Sequence, residues 1–112
     1  MLIIDDNNGM RAYLRSILQD KYNVSEATNG EQGLEKARRE VPKLVVCDVM
    51  MPVMDGLEFT KRLKKDTATS HIPVVLLTAR SLSEQRKEGY DTGADSYITK
   101  PFSGQVLLSL IE

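Results

Sequence analysis

Four consecutive apolar residues, Leu44-Val45-Val46-Cys47, leave no side of the chain for water. A run this short reads as a strand buried on both faces, which is the environment of a parallel sheet sandwiched between helices. Asp48 ends the run, so a carboxylate sits where a buried strand opens into a loop. Open α/β sheets place their ligand sites there. Pro52 and Gly56 then stiffen and turn the loop. Alone, Asp48 would be an ordinary polar strand end. The weight shifts because Asp5-Asp6, Thr78 and Lys100 stand at three other expected strand ends.

The rest of the chain alternates around this strand. Leu2-Ile3-Ile4 reads as a first strand running into Asp5-Asp6, and the polar turn Asn7-Asn8-Gly9 supplies an N-cap. Met10, Leu14, Ile17 and Leu18 then repeat at helical spacing. Tyr22 to Ala27 is a second, weaker strand. Asn29 caps a second helix, with Gln32 completing a capping-box pattern and Leu34 and Ala37 facing inward. Asp55 caps a third, with Glu58 three residues on and Phe59 and Leu63 on its inner side. The charged residues of these helices, Lys36, Lys61, Arg62, Lys64 and Lys65 among them, read as solvated faces. Val74-Val75-Leu76-Leu77 is the fourth strand, ending in Thr78-Ala79. Ser81-Leu82-Ser83-Glu84 opens a fourth helix with few apolar residues, Gly89 inside it and Gly93 at its end. Ser96-Tyr97-Ile98-Thr99 is the fifth strand, running into Lys100-Pro101. Ser103 caps a last helix striped by Val106, Leu107, Leu110 and Ile111. Strand–helix alternation repeated five times implies a parallel sheet with helices on both faces.

Asp48-Val-Met-Met-Pro-Val-Met-Asp-Gly56, with Asp5-Asp6 before it and Thr78-Ala79 and Lys100-Pro101-Phe102 after it, resembles the receiver domain of two-component response regulators. Each motif alone is weak; all four in order are specific, and they cover essentially the whole chain. The resemblance implies a flavodoxin-like α/β sheet of order 2-1-3-4-5, which brings Asp5 and Asp6 beside Asp48. It implies that Asp48 is the phosphoacceptor, with Asp6, Asp48 and the Met50 backbone carbonyl binding Mg²⁺ (Mn²⁺ as the alternative ion) and Asp5 acting through water. Three converging carboxylates repel one another, and a hard divalent cation relieves that repulsion. Lys100, aimed inward by a cis bond to Pro101, would hold a phosphoryl oxygen. Thr78 would donate to another, beside the Ala79 backbone, and Tyr97 would turn inward with it. A lysine, a strand-end threonine and a strand tyrosine are each ordinarily unremarked surface or filler residues. Their weight comes from the shared rim.

The implied partners are a histidine kinase or phosphotransfer domain as donor and an output domain, in one version DNA-binding. A homodimer through the fourth helix, fifth strand and last helix is a further one. The stretch Ser83–Phe102 resembles the receivers of hybrid sensor kinases. Residues 1–112 are expected to form a single domain cut from a longer, cytoplasmic or membrane-anchored protein. A net charge of −1 gives no general attraction to nucleic acid or membranes, and one cysteine excludes an internal disulfide. Other readings are a Mg²⁺-dependent phosphohydrolase, a receiver that only binds partners, and a flavin module. The hydrolase wants an acid at Met50, and the flavin module a phosphate loop after the first strand. His71, in a polar loop, reads as a surface residue, and Cys47 as a buried inert thiol.

Overall fold

The computed structural model describes residues 1–79 and 93–111. Strands β1 (Leu2–Ile4), β2 (Ser25–Ala27), β3 (Val45–Asp48), β4 (Val74–Thr78) and β5 (Ser96–Thr99) form one parallel sheet in the order β2-β1-β3-β4-β5. This is the expected order. Helices α1 (Asn8–Leu18), α2 (Gly30–Glu40) and α3 (Gly56–Lys65) and a last helix, Gly104–Ile111, cover its faces. The fourth helix expected from Ser81 lies outside the described residues. Gly93, expected to end it, has φ +85°, a conformation glycine adopts without a Cβ clash.

Alternation along the strands divides the core in two. Leu2, Ile4, Val45, Cys47, Val74 and Leu76 point to one side, where Leu34 and Ala37 of α2 and Phe59 and Leu63 of α3 cover them. Ile3, Val46, Val75, Leu77 and Ile98 point to the other, against Leu14 and Leu18 of α1 and Leu107 of the last helix. The α2 side is packed so closely that a Cβ on Gly33 would lie 2.3 Å from the Ile4 Cδ1 atom.

The helix starts follow from their caps. The Asn7, Asn29 and Asp55 side chains accept from the amides of Met10, Gln32 and Glu58 at 2.8–2.9 Å. The expected reciprocal arms differ. Gln32 Oε1 accepts from the Thr28 amide and hydroxyl, one residue before the cap, and the Glu58 carboxylate pairs with Arg62 instead. Ser103 Oγ accepts from the Val106 amide at 3.2 Å, as expected.

Four other expectations need correction. β2 is shorter than Tyr22–Ala27, because Tyr22 and Val24 pack half-buried on the α1 side while pairing with β1 begins only at Ser25. Lys36 is not merely solvated: its ammonium donates to the Glu26 carbonyl. Lys64 likewise donates to the Ile72 carbonyl at 2.7 Å and pairs with Asp95 at 3.2 Å, tying the end of α3 to the starts of β4 and β5. In the last helix only Leu107 is fully buried, while Val106 and Leu110 are 52% and 45% exposed. The apolar residues there occupy two adjacent helix faces, and the sheet and α1 cover one. Gly104 lies on that covered face, where its Cβ position is 3.2 Å from Ile17.

Candidate functional site

The parallel topology brings the ends of β1, β3, β4 and β5 to one rim. Asp5 follows β1 directly, and its amide continues the pairing by donating to the Ala27 carbonyl at 3.1 Å. Asp48 is the last residue of β3, and Thr78 the last of β4. Lys100 follows β5, its amide held by the Thr78 carbonyl at 2.7 Å. Asp5, Asp48, Thr78 and Lys100 are thus each placed by a ladder hydrogen bond or its immediate continuation, so these four inherit the rigidity of the sheet.

Asp5, Asp6 and Asp48 each offer a carboxylate oxygen to one cluster, with these atoms all within 4.8 Å of one another. Asp5 and Asp48 are buried and Asp6 is exposed, so the cluster opens to solvent on one side. Lys100 Nζ donates to Asp48 Oδ1 at 2.7 Å. One ammonium therefore faces three carboxylates. Burial is the main cause that lifts the Asp5 carboxyl above the usual carboxylate range, and the Asp48 and Asp6 charges push the same way. The Asn7 amide, donating to Asp5 Oδ1 at 2.9 Å, and the Lys100 charge oppose the rise.

The other oxygen, Asp5 Oδ2, is buried and has no hydrogen-bond partner among the described residues. A buried acceptor left in this state is costly in a native fold and calls for a partner such as an ion or a water. An all-oxygen donor set with one open side suits a hard divalent cation that keeps some of its water. The cluster therefore fits the cation that the sequence implied.

The loop after β3 is shaped as expected at Gly56, whose amide donates to the Val49 carbonyl at 2.9 Å. A Cβ there would lie 2.4 Å from the Asp48 carbonyl oxygen, so no larger residue fits without moving the backbone that carries Asp48. The turn at Pro52 holds a feature the sequence did not announce. The Met54 amide donates to the Pro52 carbonyl at 2.7 Å across Val53, whose φ is +70°. That is a γ-turn hydrogen bond with a β-branched residue in the left-handed region, a strained position. Met50 and Val53 are 68% and 76% exposed, beside the acidic cluster.

The Lys100-Pro101 bond is cis, as expected. Thr78 is buried and Ala79 exposed at the same strand end. Tyr97 pairs in register with Leu76, is half-buried, and packs on the α3 side of the sheet. By alternation Thr78, two residues beyond Leu76, lies on that same face. Cys47 is fully buried. Its thiol donates to the Asp48 carbonyl at 3.3 Å, and burial first, then the Asp48 and Asp5 charges, push its pKa well up. His71 is exposed in its loop. Sequence reasoning missed Arg11, whose guanidinium donates to the Asp5 carbonyl at 2.6 Å. Its place at i+5 from Asp6, on the first turns of α1, was the available signal.

A family profile described as the response regulator receiver domain matches residues 1–112. Histidine kinase P4 of Formosa agariphila is 45% identical over 103 residues, spanning 92% of this chain but 8% of that protein. The chemotaxis protein CheY of Halobacterium salinarum is 37% identical over 99% of this chain and 92% of its own length. The receiver domain of sensor histidine kinase PA1611 from Pseudomonas aeruginosa PAO1, solved with a magnesium ion coordinated in its active-site cleft, superposes with a TM-score of 0.89 at 25% identity. That match covers 98% of this chain and 91% of that one. The chain spans about half the length of the response regulator Rre1 of Synechocystis, a further relative.

Proposed function

The chain belongs to the response regulator receiver domain family of two-component signalling, and from that premise we propose that Asp48 is its phosphoacceptor. The observation that carries this reading is the Lys100–Asp48 contact at 2.7 Å inside a cluster of three carboxylates. That contact joins the ends of strands β3 and β5, 52 residues apart, at one reactive oxygen.

The proposed step is a displacement at phosphorus. A carboxylate oxygen of Asp48 attacks the phosphoryl group of a partner's phosphohistidine; the P–N bond breaks and its electron pair stays on the imidazole nitrogen, leaving an acyl phosphate on Asp48. Such transfers depend on positioning and charge neutralisation rather than on elaborate covalent chemistry. Lys100 gives up its bond to the Asp48 carboxylate and follows the new charge to a phosphoryl oxygen. The Thr78 hydroxyl and the Ala79 amide, at the neighbouring strand end, would donate to the other phosphoryl oxygens. Asp5, Asp6, Asp48 and the Met50 carbonyl would hold Mg²⁺, with Mn²⁺ as an alternative. When bound, the ion neutralises negative charge on the incoming phosphoryl group. Met50 provides no acid at the position where an aspartyl phosphohydrolase would use one, which favours a self-modifying switch that also promotes its own dephosphorylation over a turnover enzyme.

Thr78 and Tyr97 share a sheet face and form the proposed switch. Drawing Thr78 toward the phosphoryl group vacates space that Tyr97 takes, which alters the surface around β5 and the last helix. A histidine kinase or phosphotransfer domain is the proposed donor and an output domain the recipient. The switched surface is also where a second copy would pair. The reading places the domain within a longer cytoplasmic or membrane-anchored protein. Among the described residues no helix is long and apolar enough to cross a membrane.

The test supplies a small phosphodonor with Mg²⁺ and follows intact mass. The wild-type chain is expected to gain one phosphoryl group, labile to hydroxylamine and lost when Mg²⁺ is chelated beforehand. Full labelling of Asp48→Ala would defeat the assignment.

A further inference from the structure

Arg11 belongs to α1 but bonds outside its helix in two directions. Its Nη1 donates to the Asp5 carbonyl at 2.6 Å and its Nε to Glu26 Oε1 at 3.2 Å, while Nη2 reaches Asn8 Oδ1. Only 13% of the side chain is exposed. The second oxygen of Glu26 takes Arg15 Nε at 2.6 Å, so the carboxylate that holds Arg11 is itself held.

We propose that Arg11 is a positioning residue for the cation site: its bond to the Asp5 carbonyl fixes the Asp5–Asp6 peptide plane and so the direction in which Asp6 presents its carboxylate. Glu26 completes the device. It keeps the guanidinium turned toward β2, away from the three carboxylates it would otherwise neutralise. The proposal rests on the cation-site reading of Asp5, Asp6 and Asp48. It gives Asp6 an orientation that its exposed side chain does not obtain from burial.

A simple charge argument predicts the opposite sign. A cation beside an acidic cluster repels a second cation, so removing it should tighten metal binding. If Arg11 positions Asp6, removing it loosens binding. Groups that orient metal ligands typically cost about tenfold or more in affinity when lost. Mg²⁺ is titrated into ¹⁵N-labelled wild type, Arg11→Ala, Arg11→Lys and Glu26→Gln, with amide shifts reporting both affinity and intact fold. Arg11→Ala is expected to bind Mg²⁺ about tenfold more weakly than wild type. Arg11→Lys, which keeps a donor for the Asp5 carbonyl, should fall between the two, and Glu26→Gln should weaken binding although Arg11 remains. A folded Arg11→Ala chain that binds as tightly as wild type, or more tightly, overturns the proposal and leaves the cation site standing. If Arg11→Ala fails to fold, Arg11→Lys and Glu26→Gln decide, and wild-type affinity in both overturns it. No binding by wild type overturns the site and the proposal together.

Discussion

The two edges of the sheet are held in different ways. β2 carries Glu26, gripped by Arg11 and Arg15 from α1, while Lys36 of α2 holds its carbonyl. β5 is pinned at its start by Asp95, which accepts from the Val74 amide at 2.8 Å and pairs with Lys64. Its far end is pinned by Lys100 on Asp48. Every anchor of β2 keeps its charge throughout the proposed chemistry. The far anchor of β5 is the carboxylate that the chemistry converts. In the proposed chemistry one edge is therefore a fixed frame, and the other is tied to the phosphorylation state.

Breaking the β5 anchor should have the largest effect. Lys100→Ala is expected to slow phosphorylation of Asp48 by about 10²–10³-fold, the usual loss when a preorganised partner of developing charge is removed. The measurement is the rate of mass gain from a small phosphodonor, and wild-type kinetics would show that the edge is not coupled to the chemistry. Breaking the β2 anchor should act on stability instead. Glu26→Ala removes two charge-assisted hydrogen bonds at a partly buried site and should cost about 1–3 kcal/mol in urea unfolding. Its phosphorylation rate should fall less than that of Lys100→Ala.

Acid separates the two regions by sign. The bond from Arg15 and its charge, then the bond and charge of Arg11, hold the Glu26 carboxyl below its ordinary value against the opposing effect of burial. A depressed folded pKa gives stability that is present above the unfolded value and is lost as pH falls through the folded one. Asp5 behaves oppositely. Its raised folded pKa means that the native chain holds its proton longer, so metal-free stability declines as pH rises from the unfolded value through the folded one. Urea midpoints from pH 3 to pH 8 without Mg²⁺ should show Glu26→Gln losing part of the acid-side fall. Asp5→Asn should be more stable than wild type at neutral pH. A less stable Asp5→Asn chain would mean that Asp5 is not a strained charge.

The smallest effect belongs to the turn beside the cluster. Val53→Gly relieves a β-branched residue at φ +70°, against the greater freedom glycine gives the unfolded chain. A net gain of up to about 1 kcal/mol is expected. Denaturant midpoints decide it, and a loss would show that the Val53 side chain contributes packing that its exposure does not suggest.

What the sequence made legible follows a physical division. Strands buried on both faces and caps that satisfy helix amides are local patterns, and among the described residues they placed β1, β3, β4 and the starts of α1, α2, α3 and the last helix closely. The rim was legible because the family resemblance supplied the strand order, and in that order the strand ends meet at one edge, so Asp5, Asp48 and Lys100 could be brought together before any coordinates. Contacts made by long side chains across elements were not legible. Arg11, Lys36 and Lys64 each reach a partner on another element, and periodicity registers them only as charge. β2 was overextended because Tyr22 and Val24 pack beside the sheet while the pairing is left to Ser25, Glu26 and the small Ala27. The left-handed Val53 was hidden for a related reason, since its conformation is imposed by the closure of the loop between Pro52 and Gly56.

The thiol of Cys47, on the residue before the proposed phosphoacceptor, donates to the Asp48 carbonyl, sealed among apolar neighbours and kept protonated by burial. No alkylating reagent can meet it while the strands remain joined. The rate at which such a reagent eventually modifies it would therefore time the rare partings of the central strands. Run with and without the phosphoryl group, that clock would show how much the modification above tightens the floor below.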